Sequence, residues 1–290
     1  MSFPITKTVI PVAGFGTRML PAAKAVPKEL LPILDKPTVQ YVVEEALAGG
    51  VDDVLLVTSR DKRAIEDHFD RNGDLEQRLK AGSKDALLAS LNELTNRVKV
   101  HAVRQPEQRG LGDAVKQARR HVGDAAFVCQ LGDTIFSGGT SPVRQLTDAY
   151  AKLGTAVVGV EEVPAEKVSR YGIVGGVEVS PGVMRIEKLV EKPSQQEAPS
   201  PLAIAARYVL TPAVFDCLDQ TAPGKGGEIQ LTDALQLLLK REPIHAVVLN
   251  AKRHDIGNPV DWLKTNLLFA SRDESLWNQI MPLLRQLLKN

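Results

Sequence analysis

The chain has 290 residues, of which 43% are hydrophobic and 24% are charged, and its formal net charge is +1. This composition excludes a disordered chain, no apolar run reaches the roughly 20 residues that cross a bilayer, and no basic cluster marks a nucleic-acid surface. The first residues also lack the basic start, long apolar centre and cleavage site of a signal peptide. We therefore predict a cytoplasmic, globular protein that binds neither membranes nor nucleic acid.

Short runs rich in β-branched residues alternate with helix-length segments over roughly the first half of the chain. The predicted strands are Thr8–Val12, Val54–Thr58, Val98–Val103, Ala126–Leu131 and Thr155–Glu161. The predicted helices are Val39–Ala48, Lys62–Phe69, Ser83–Leu94, Gly112–His121 and Pro142–Leu153. This alternation predicts a Rossmann-like α/β fold with a mixed, mainly parallel central sheet that is flanked by helices.

The pattern changes after about residue 165. Ile173–Val179 and Val183–Val190, joined through a Ser-Pro-Gly turn, predict a small antiparallel hairpin. The later predicted elements are a strand at Ala203–Leu210, helices near Pro212–Leu218 and Leu231–Lys240, and a strand at Ile244–Leu249. From Val260 onward, two amphipathic helices follow; the last can dock on the core or on another subunit, so we expect a homodimer or homotetramer.

The cysteines and histidines show no local pattern of a disulfide or a metal site. Cys129 and Cys217 are far apart in apolar or helical surroundings, so we predict two buried thiols. The five histidines lack a metal-ligand spacing such as HExxH, and we interpret them as structural.

A glycine-rich turn follows the first predicted strand, with the sequence PVAGFGTR at residues 11–18 and PKELLP at residues 27–32. Glycines let the backbone approach a ligand closely, and the exposed N–H groups of such a turn form a concave anion site. Arg18 and Lys28 then supply two permanent positive charges, one a planar fork and one a point charge. The segment therefore predicts a site for a phosphorylated ligand.

Three other interpretations of this segment are a dinucleotide-binding motif, a P-loop and a plain turn. A dinucleotide motif needs a third glycine where Met19 stands, and the P-loop pattern is absent. The third alternative is a plain turn from a strand into a loop, with solvated Arg and Lys side chains. Glycine pairs alone are weak signals, whereas two prolines that fix the loop around Lys28 make the combined string more specific.

The string AGFGTRMLPAAKAVPKELLPILDKP at residues 13–37 resembles the signature of the sugar nucleotidyltransferases, particularly the bacterial UTP–glucose-1-phosphate uridylyltransferases. Further islands follow in family order: Gln105, GLGDA at 110–114, Gly132-Asp133, Tyr171-Gly172, VEKP at 190–193, GEIQLTD at 227–233 and DIG at 255–257. The resemblance runs from about residue 8 to 265. It implies transfer of a uridylyl group from UTP to glucose 1-phosphate, which yields UDP-glucose and pyrophosphate with Mg²⁺ as cofactor.

The resemblance also implies which residues act. Arg18 would hold the β- and γ-phosphates of UTP, Lys28 would sit at the α-phosphate, and Asp133 would be the third catalytic residue. The implied nucleotide contacts are Ala13, Gly14, Gly16, Thr17, Glu29, Gln105 and Gly110. The implied sugar-phosphate contacts are Gly172, Glu191 and Lys192.

The implied Mg²⁺ ligands are Asp133 and Asp255, although Asp255 could instead cap the helix that begins after Pro259. This chain has Gly-Asp-Thr at 132–134 where relatives often carry paired carboxylates, which leaves one carboxylate fewer. Gln105 offers a donor and an acceptor to the imide edge of uracil, but thymine has the same edge. Asp113, where family members often carry His, is predicted to be structural.

These implications divide the chain into an α/β domain at residues 1–258 and a C-terminal helical extension at 259–290. The domain has a nucleotide half at about 1–165 and a sugar half at about 166–258. Two other functions stay open: a thymidylyl- or cytidylyltransferase that uses the same residues, and a non-catalytic regulatory homologue. Retention of the charged set, including Arg18, Lys28 and Asp133, argues against the second.

Overall fold

The computed structural model describes residues 5–289, the side chain of residue 225 excepted; residues 1–4 and 290 of the predicted domains lie outside it. The strands are β1 (Lys7–Pro11), β2 (Pro32–Ile33), β3 (Lys36–Pro37), β4 (Asp53–Thr58), β5 (Lys99–Arg104), β6 (Phe127–Gln130), β7 (Thr134–Ser137), β8 (Ala156–Glu162), β9 (Gly172–Ser180), β10 (Val183–Glu191), β11 (Leu202–Leu210), β12 (Ile244–Val248) and β13 (Lys252–Asp255). The helices are α1 (Thr38–Ala48), α2 (Arg63–Phe69), α3 (Gly73–Ala81), α4 (Asp85–Arg97), α5 (Leu111–Lys116), α6 (Arg119–Val122), α7 (Pro142–Leu153), α8 (Ala213–Gln220), α9 (Leu231–Leu239), α10 (Pro259–Ala270) and α11 (Glu274–Leu287).

Nine strands form one sheet in the order β5-β4-β1-β6-β11-β8-β12-β10-β9, which confirms the predicted α/β class. Parallel pairing is confined to β5-β4-β1-β6 and to β8 with β12, whereas β11, β10 and β9 pair antiparallel with their neighbours. Parallel neighbours need a crossover, usually a helix, whereas only residues 181 and 182 join β9 to β10, so these two strands form an antiparallel hairpin.

Helices cover both faces of the sheet, as the alternation of elements predicted. Within β1, Val9 packs into a core cluster with α5, α6, α8 and α9, while Ile10 packs into another with α1 and α2. Both cysteines are buried and free, in agreement with the prediction. None of the helices among the described residues has the length and apolarity needed to span a membrane.

Several elements differ from the sequence prediction. The single helix predicted over Gly112–His121 is wrong, because the chain forms α5 and then α6 with a break between them. Helix α3 and the two-stranded sheet of β7 and β13 were not predicted at all. One sheet runs through both predicted halves of the domain, so the boundaries at residues 165 and 258 stay predictions.

Candidate active site

The glycine-rich turn lies at the carboxyl end of β1, the edge at which open parallel sheets bind ligands. Gly16 has a left-handed φ of 66°, and a Cβ atom there would lie 3.3 Å from the side chain of Lys28. The turn therefore packs directly on the segment that carries Lys28. Beside it lies a cavity of about 390 Å³, here called the turn cavity, lined by Ala13, Gly14, Gly16, Thr17, Glu29, Gln105 and Gly110.

Lys28 and Asp133 form an ion pair at the inner end of the turn cavity. Lys28 Nζ lies 2.5 Å from Asp133 Oδ2, and the two side chains are 15% and 22% exposed. Burial alone would lower the pKa of Lys28, but Asp133 and Glu29 outweigh it, so that pKa is raised. Burial would likewise raise the pKa of Asp133, yet the charge and hydrogen bond of Lys28 lower it. Both groups are therefore charged at neutral pH.

A second ion pair lies directly behind the first. Lys62 Nζ donates to Glu29 Oε2 at 2.7 Å, and these side chains are only 8% and 2% exposed. Burial raises the pKa of Glu29 and lowers that of Lys62, and each charge opposes the shift of the other. Glu29 thus borders the turn cavity, but its carboxylate is engaged by Lys62.

Buried Arg207 on β11 holds the loop that carries Asp133. Its guanidinium donates to the backbone carbonyl oxygens of Leu131 and Thr134, on either side of Asp133, at 3.4 and 2.8 Å. It also forms a two-point ion pair with Glu45 on α1, at 2.8 and 2.7 Å. A fixed guanidinium of this kind orients the loop, and no local sequence signal revealed it.

The pairing of β7 with β13 brings Asp255 beside Asp133. Thr134 is opposite Asp255 in the ladder, and the N–H of Ile256 donates to the carbonyl oxygen of Asp133 at 2.9 Å. The alternative role of Asp255 as a helix cap is wrong, because the side chain of Asn258 caps α10. Asp255 Oδ1 instead accepts from the N–H of Gly257 at 2.8 Å.

Arg18 reaches the same region from the turn. A Cβ atom on Gly257 would lie 2.7 Å from Arg18 Nη2 and 2.9 Å from Asp255 Oδ1, so the guanidinium passes close to this glycine. The Arg18 charge also acts on the pKa values of both Lys28 and Asp133. The predicted guanidinium, ammonium and carboxylates therefore converge on one place.

A second cavity, of about 440 Å³, opens beside the hairpin of β9 and β10 and is here called the hairpin cavity. Thr232 Oγ1 donates to Glu191 Oε2 at 2.6 Å, and Lys192 Nζ lies 3.3 Å from Glu191 Oε1. A Cβ atom on Gly172 would lie 3.3 Å from Glu191 Oε2, so this glycine leaves room for the carboxylate. The predicted site residues that line the hairpin cavity are Arg18, Lys28, Asp133, Gly172, Glu191, Lys192 and Asp255.

The two cavities meet. Lys28, Leu111, Leu131, Asp133 and Glu228 line both of them, so the Lys28–Asp133 pair stands at their junction. Every residue that the resemblance implied as a contact lies on one cavity or on both. Their roles toward ligands nevertheless stay predictions.

Sequence reasoning missed other residues of the hairpin cavity. Arg253 Nη2 lies 2.5 Å from Glu161 Oε1, and Arg253 Cζ lies 4.3 Å from the centroid of the Tyr171 ring. Gln230 and Thr232 also line this cavity, and both belong to the GEIQLTD island, which was the available signal. Arg253 stands two residues before Asp255, but nothing local marked it.

Gln105 lines the turn cavity and contacts Asp113, which lies outside the cavity lining; both residues are buried. Gln105 Nε2 donates to Asp113 Oδ2 at 2.8 Å and to the carbonyl oxygen of Gly110 at 3.2 Å. Asp113 is therefore joined to a predicted nucleotide contact.

A separate cluster of polar residues lies at the amino end of β4. His121 Nε2 and His101 Nε2 lie 2.8 and 3.7 Å from Asp53 Oδ1. The three residues come from β4, β5 and α6, which is why no local spacing joined them. The short contact pairs His121 with a carboxylate, and the structural role of the histidines stays a prediction.

Comparisons with known proteins agree with this geometry. Residues 7–272 match the nucleotidyl transferase family. A UTP–glucose-1-phosphate uridylyltransferase of Bacillus subtilis is 44% identical over 284 residues, which cover 98% of this chain and 97% of that protein. A solved UTP-bound UGPase from Acinetobacter baumannii is similar with a TM-score of 0.90 and 35% identity, over 98% of this chain and 99% of that one. A UDP-glucose pyrophosphorylase complexed with UDP-glucose is similar with a TM-score of 0.86 and 38% identity, over 92% and 99% of the two chains. The chain therefore belongs to the nucleotidyl transferase family.

Proposed function

We propose that this protein transfers the uridylyl group of UTP to glucose 1-phosphate and releases UDP-glucose and pyrophosphate. The observation that carries the proposal is the junction of two cavities at Lys28 and Asp133. One cavity is bordered by a glycine-rich turn and the other by polar groups suited to a sugar phosphate. The similarity to a uridylyltransferase and to pyrophosphorylases solved with UTP or UDP-glucose supports this choice of substrates.

The turn cavity takes UTP. Ala13, Gly14 and Gly16 offer backbone to the nucleotide, and Thr17 follows them in the same loop. Gln105 and Gly110 face the uracil at the opposite side of the cavity. Glu29 acts from behind: its pair with Lys62 is too buried to bind ligand, and its charge supports the ammonium of Lys28.

The hairpin cavity takes glucose 1-phosphate. Glu191 accepts hydrogen bonds from sugar hydroxyls, Gly172 leaves space for the ring, and Lys192 neutralises the phosphate. Thr232 orients the Glu191 carboxylate through its 2.6 Å hydrogen bond. This arrangement holds the phosphate of the sugar toward the junction.

The reaction is a displacement at the α-phosphorus of UTP. A phosphate oxygen of glucose 1-phosphate forms the new P–O bond, while the bond from the α-phosphorus to the bridging oxygen breaks and its electron pair leaves with pyrophosphate. Lys28 and Arg18 neutralise charge on the phosphates as it shifts, so catalysis comes from alignment and electrostatics. No side chain has to form a covalent bond to the substrate.

Asp133 and Asp255 form a donor set that suits a hard divalent cation, and we propose Mg²⁺. Both carboxylates line the hairpin cavity, and Lys28 lowers the pKa of Asp133 despite its burial, so Asp133 is anionic and its Oδ1 lies outside the pair of Oδ2 with Lys28. Bound Mg²⁺ would neutralise part of the negative charge of the phosphates. The homodimer or homotetramer and the cytoplasmic location also remain proposals.

The test is a pyrophosphate-release assay with four nucleoside triphosphates and several sugar 1-phosphates, with and without MgCl₂. We expect turnover with UTP and glucose 1-phosphate, dependent on the added metal and abolished by Asp133→Asn. Preferred use of dTTP or CTP would move the protein to another branch of the family. Absence of pyrophosphate release from every pair would leave a regulatory homologue.

A further inference from the structure

We propose that Asp113 is a positioning residue for base selection, because it fixes the side-chain amide of Gln105 with its oxygen turned toward the turn cavity. This inference rests on the proposed function and deepens it. It names a residue that selects a uracil-type edge against cytosine.

The hydrogen bonds of Gln105 allow only one orientation of its amide group. Nε2 donates to Asp113 Oδ2 at 2.8 Å and to the carbonyl oxygen of Gly110 at 3.2 Å. A carboxylate and a carbonyl oxygen accept hydrogen bonds and donate none, so a flipped amide would place oxygen against oxygen at both contacts. Gln105 is 4% exposed, and repulsion of this kind at a buried site is costly.

Asp113 is itself held in place. Its side chain is 2% exposed, and Oδ1 accepts from Arg109 Nη2 at 3.1 Å. Asp113 lies in the first turn of α5. Gln117 Nε2 donates to the carbonyl oxygen of Asp113 at 3.2 Å, and the N–H of Gly112 donates to the carbonyl oxygen of Ile229 at 2.8 Å. The carboxylate therefore cannot turn away from Gln105 without breaking contacts of its own.

The remaining acceptor of Gln105 is unused. Among residues 5–289 no group donates to Gln105 Oε1, although the side chain is almost fully buried and lines the turn cavity. Since no fully buried side-chain oxygen or nitrogen of the described residues lacks a partner, this acceptor is reached from the cavity, where a ligand N–H group can donate to it. A freely rotating Gln105 amide could offer a ligand either its donor or its acceptor. Because Asp113 accepts from Nε2, only the acceptor Oε1 is left for a ligand.

This choice distinguishes pyrimidines at ring position 3. Uracil and thymine carry an N–H there, which donates to Oε1, whereas cytosine carries a lone pair that is repelled by the same oxygen. The fixed orientation of the Gln105 amide by Asp113, here called the lock, therefore favours UTP and dTTP over CTP. It cannot separate UTP from dTTP. A general loss of stability would lower the affinities for all three nucleotides together, so a change in the UTP to CTP ratio alone reports on the amide of Gln105.

The test compares the affinities of UTP, dTTP and CTP for the wild type, Asp113→Ala and Asp113→Asn by calorimetry. In Asp113→Ala only the 3.2 Å contact with the carbonyl oxygen of Gly110 still orients the amide, so we expect the UTP to CTP affinity ratio to fall about tenfold, with the UTP to dTTP ratio unchanged. Asp113→Asn replaces two acceptors by one acceptor and one donor group while Arg109 and Gln105 Nε2 both donate to this side chain, so its ratio should lie between those of the wild type and Asp113→Ala. Asp124→Ala is the matched control, since Asp124 is an exposed aspartate outside α5 and lines neither cavity.

Unchanged UTP to CTP selectivity in a folded Asp113→Ala protein would overturn the inference, as would an equal loss of affinity for all three nucleotides. Loss of selectivity in Asp124→Ala would overturn it as well, because that change leaves every contact of Gln105 and Asp113 in place. Thermal melting checks the fold of each variant. The proposed function fails separately, if the wild type binds UTP but forms no UDP-glucose, and the affinity ratios still test the lock.

Discussion

The turn cavity and the hairpin cavity are built in different ways. Four of the predicted contacts in the turn cavity, Ala13, Gly14, Gly16 and Gly110, have little or no side chain and lie in short loops. The hairpin cavity instead presents charged side chains from several elements, among them Glu191, which ends β10.

The difference reflects the ligands that each cavity is proposed to bind. Phosphates and a nucleobase are large, and contact with backbone N–H groups requires residues without bulk. A sugar presents hydroxyl groups in several directions, which need carboxylates and hydroxyls held at defined positions. The two designs meet at Lys28 and Asp133, where the chemistry has to occur.

Replacement of Lys28 at the junction should have the largest effect. Lys28→Ala removes a pre-placed positive charge at the α-phosphorus, and we expect kcat to fall about 100- to 1000-fold with the fold intact. Lys24→Ala is the matched control, because Lys24 is an exposed lysine in the same loop. Steady-state kinetics and circular dichroism measure both. Near-wild-type kcat in Lys28→Ala would remove the junction from the mechanism.

Acid should weaken the strand that carries Asp255. Burial lowers the pKa of neighbouring His254 from 6.5 to about 4, with smaller contributions from Lys252 and Arg272. As the pH falls, the imidazole of His254 is therefore protonated in the unfolded chain before it is protonated in the folded protein. The contribution of neutral His254 to stability is complete above pH 6.5 and is lost as the pH falls toward 4. Between pH 7.5 and 5.0 the wild type should lose about 2 kcal/mol more than His254→Gln.

Urea unfolding of both proteins at the two pH values measures this difference. The other titrating groups are common to the wild type and to His254→Gln, so the comparison isolates His254. Parallel losses of stability in the two proteins would mean that His254 is protonated equally easily in the folded and unfolded states.

Replacement of Glu191 should separate the two cavities. Glu191→Ala removes the hydroxyl acceptor of the hairpin cavity, so KM for glucose 1-phosphate should rise about tenfold while KM for UTP changes little. Glu187→Ala is the matched control, because Glu187 lies on the same strand with a side chain that is 52% exposed. Equal changes in both KM values would show that Glu191 does not act on the sugar alone.

The smallest expected effect comes from Gly16. In Gly16→Ala the new Cβ meets the Lys28 side chain at 3.3 Å, and Lys28 has to shift. We expect a loss of about 1 kcal/mol in stability from the left-handed φ and a roughly fivefold lower kcat. Gly154→Ala has nearly the same φ, 65°, but no atom within 4 Å of its Cβ. It should lose similar stability and keep full kcat; equal kcat in both variants would exclude the Lys28 contact.

The amino-acid sequence by itself determined the elements whose signals are local. The strands around residues 8, 54 and 127 and the hairpin after residue 172 are visible in runs of apolar or β-branched residues, and the structure has them. The glycine-rich turn is also local, because a left-handed φ at Gly16 needs a glycine at that one position. Helix α3 was missed because its residues are largely polar and exposed, so no apolar face marks it.

Only the tertiary structure decided which distant residues meet. The pairing of β7 with β13 places Asp255 beside Asp133. Buried Arg207 orients the loop between β6 and β7, which is far from Arg207 in the chain. The pairs of Glu29 with Lys62 and of Gln105 with Asp113 are likewise set by packing. The physical reason is that a local pattern records which face of an element is buried, whereas a polar contact depends on which other element covers that face.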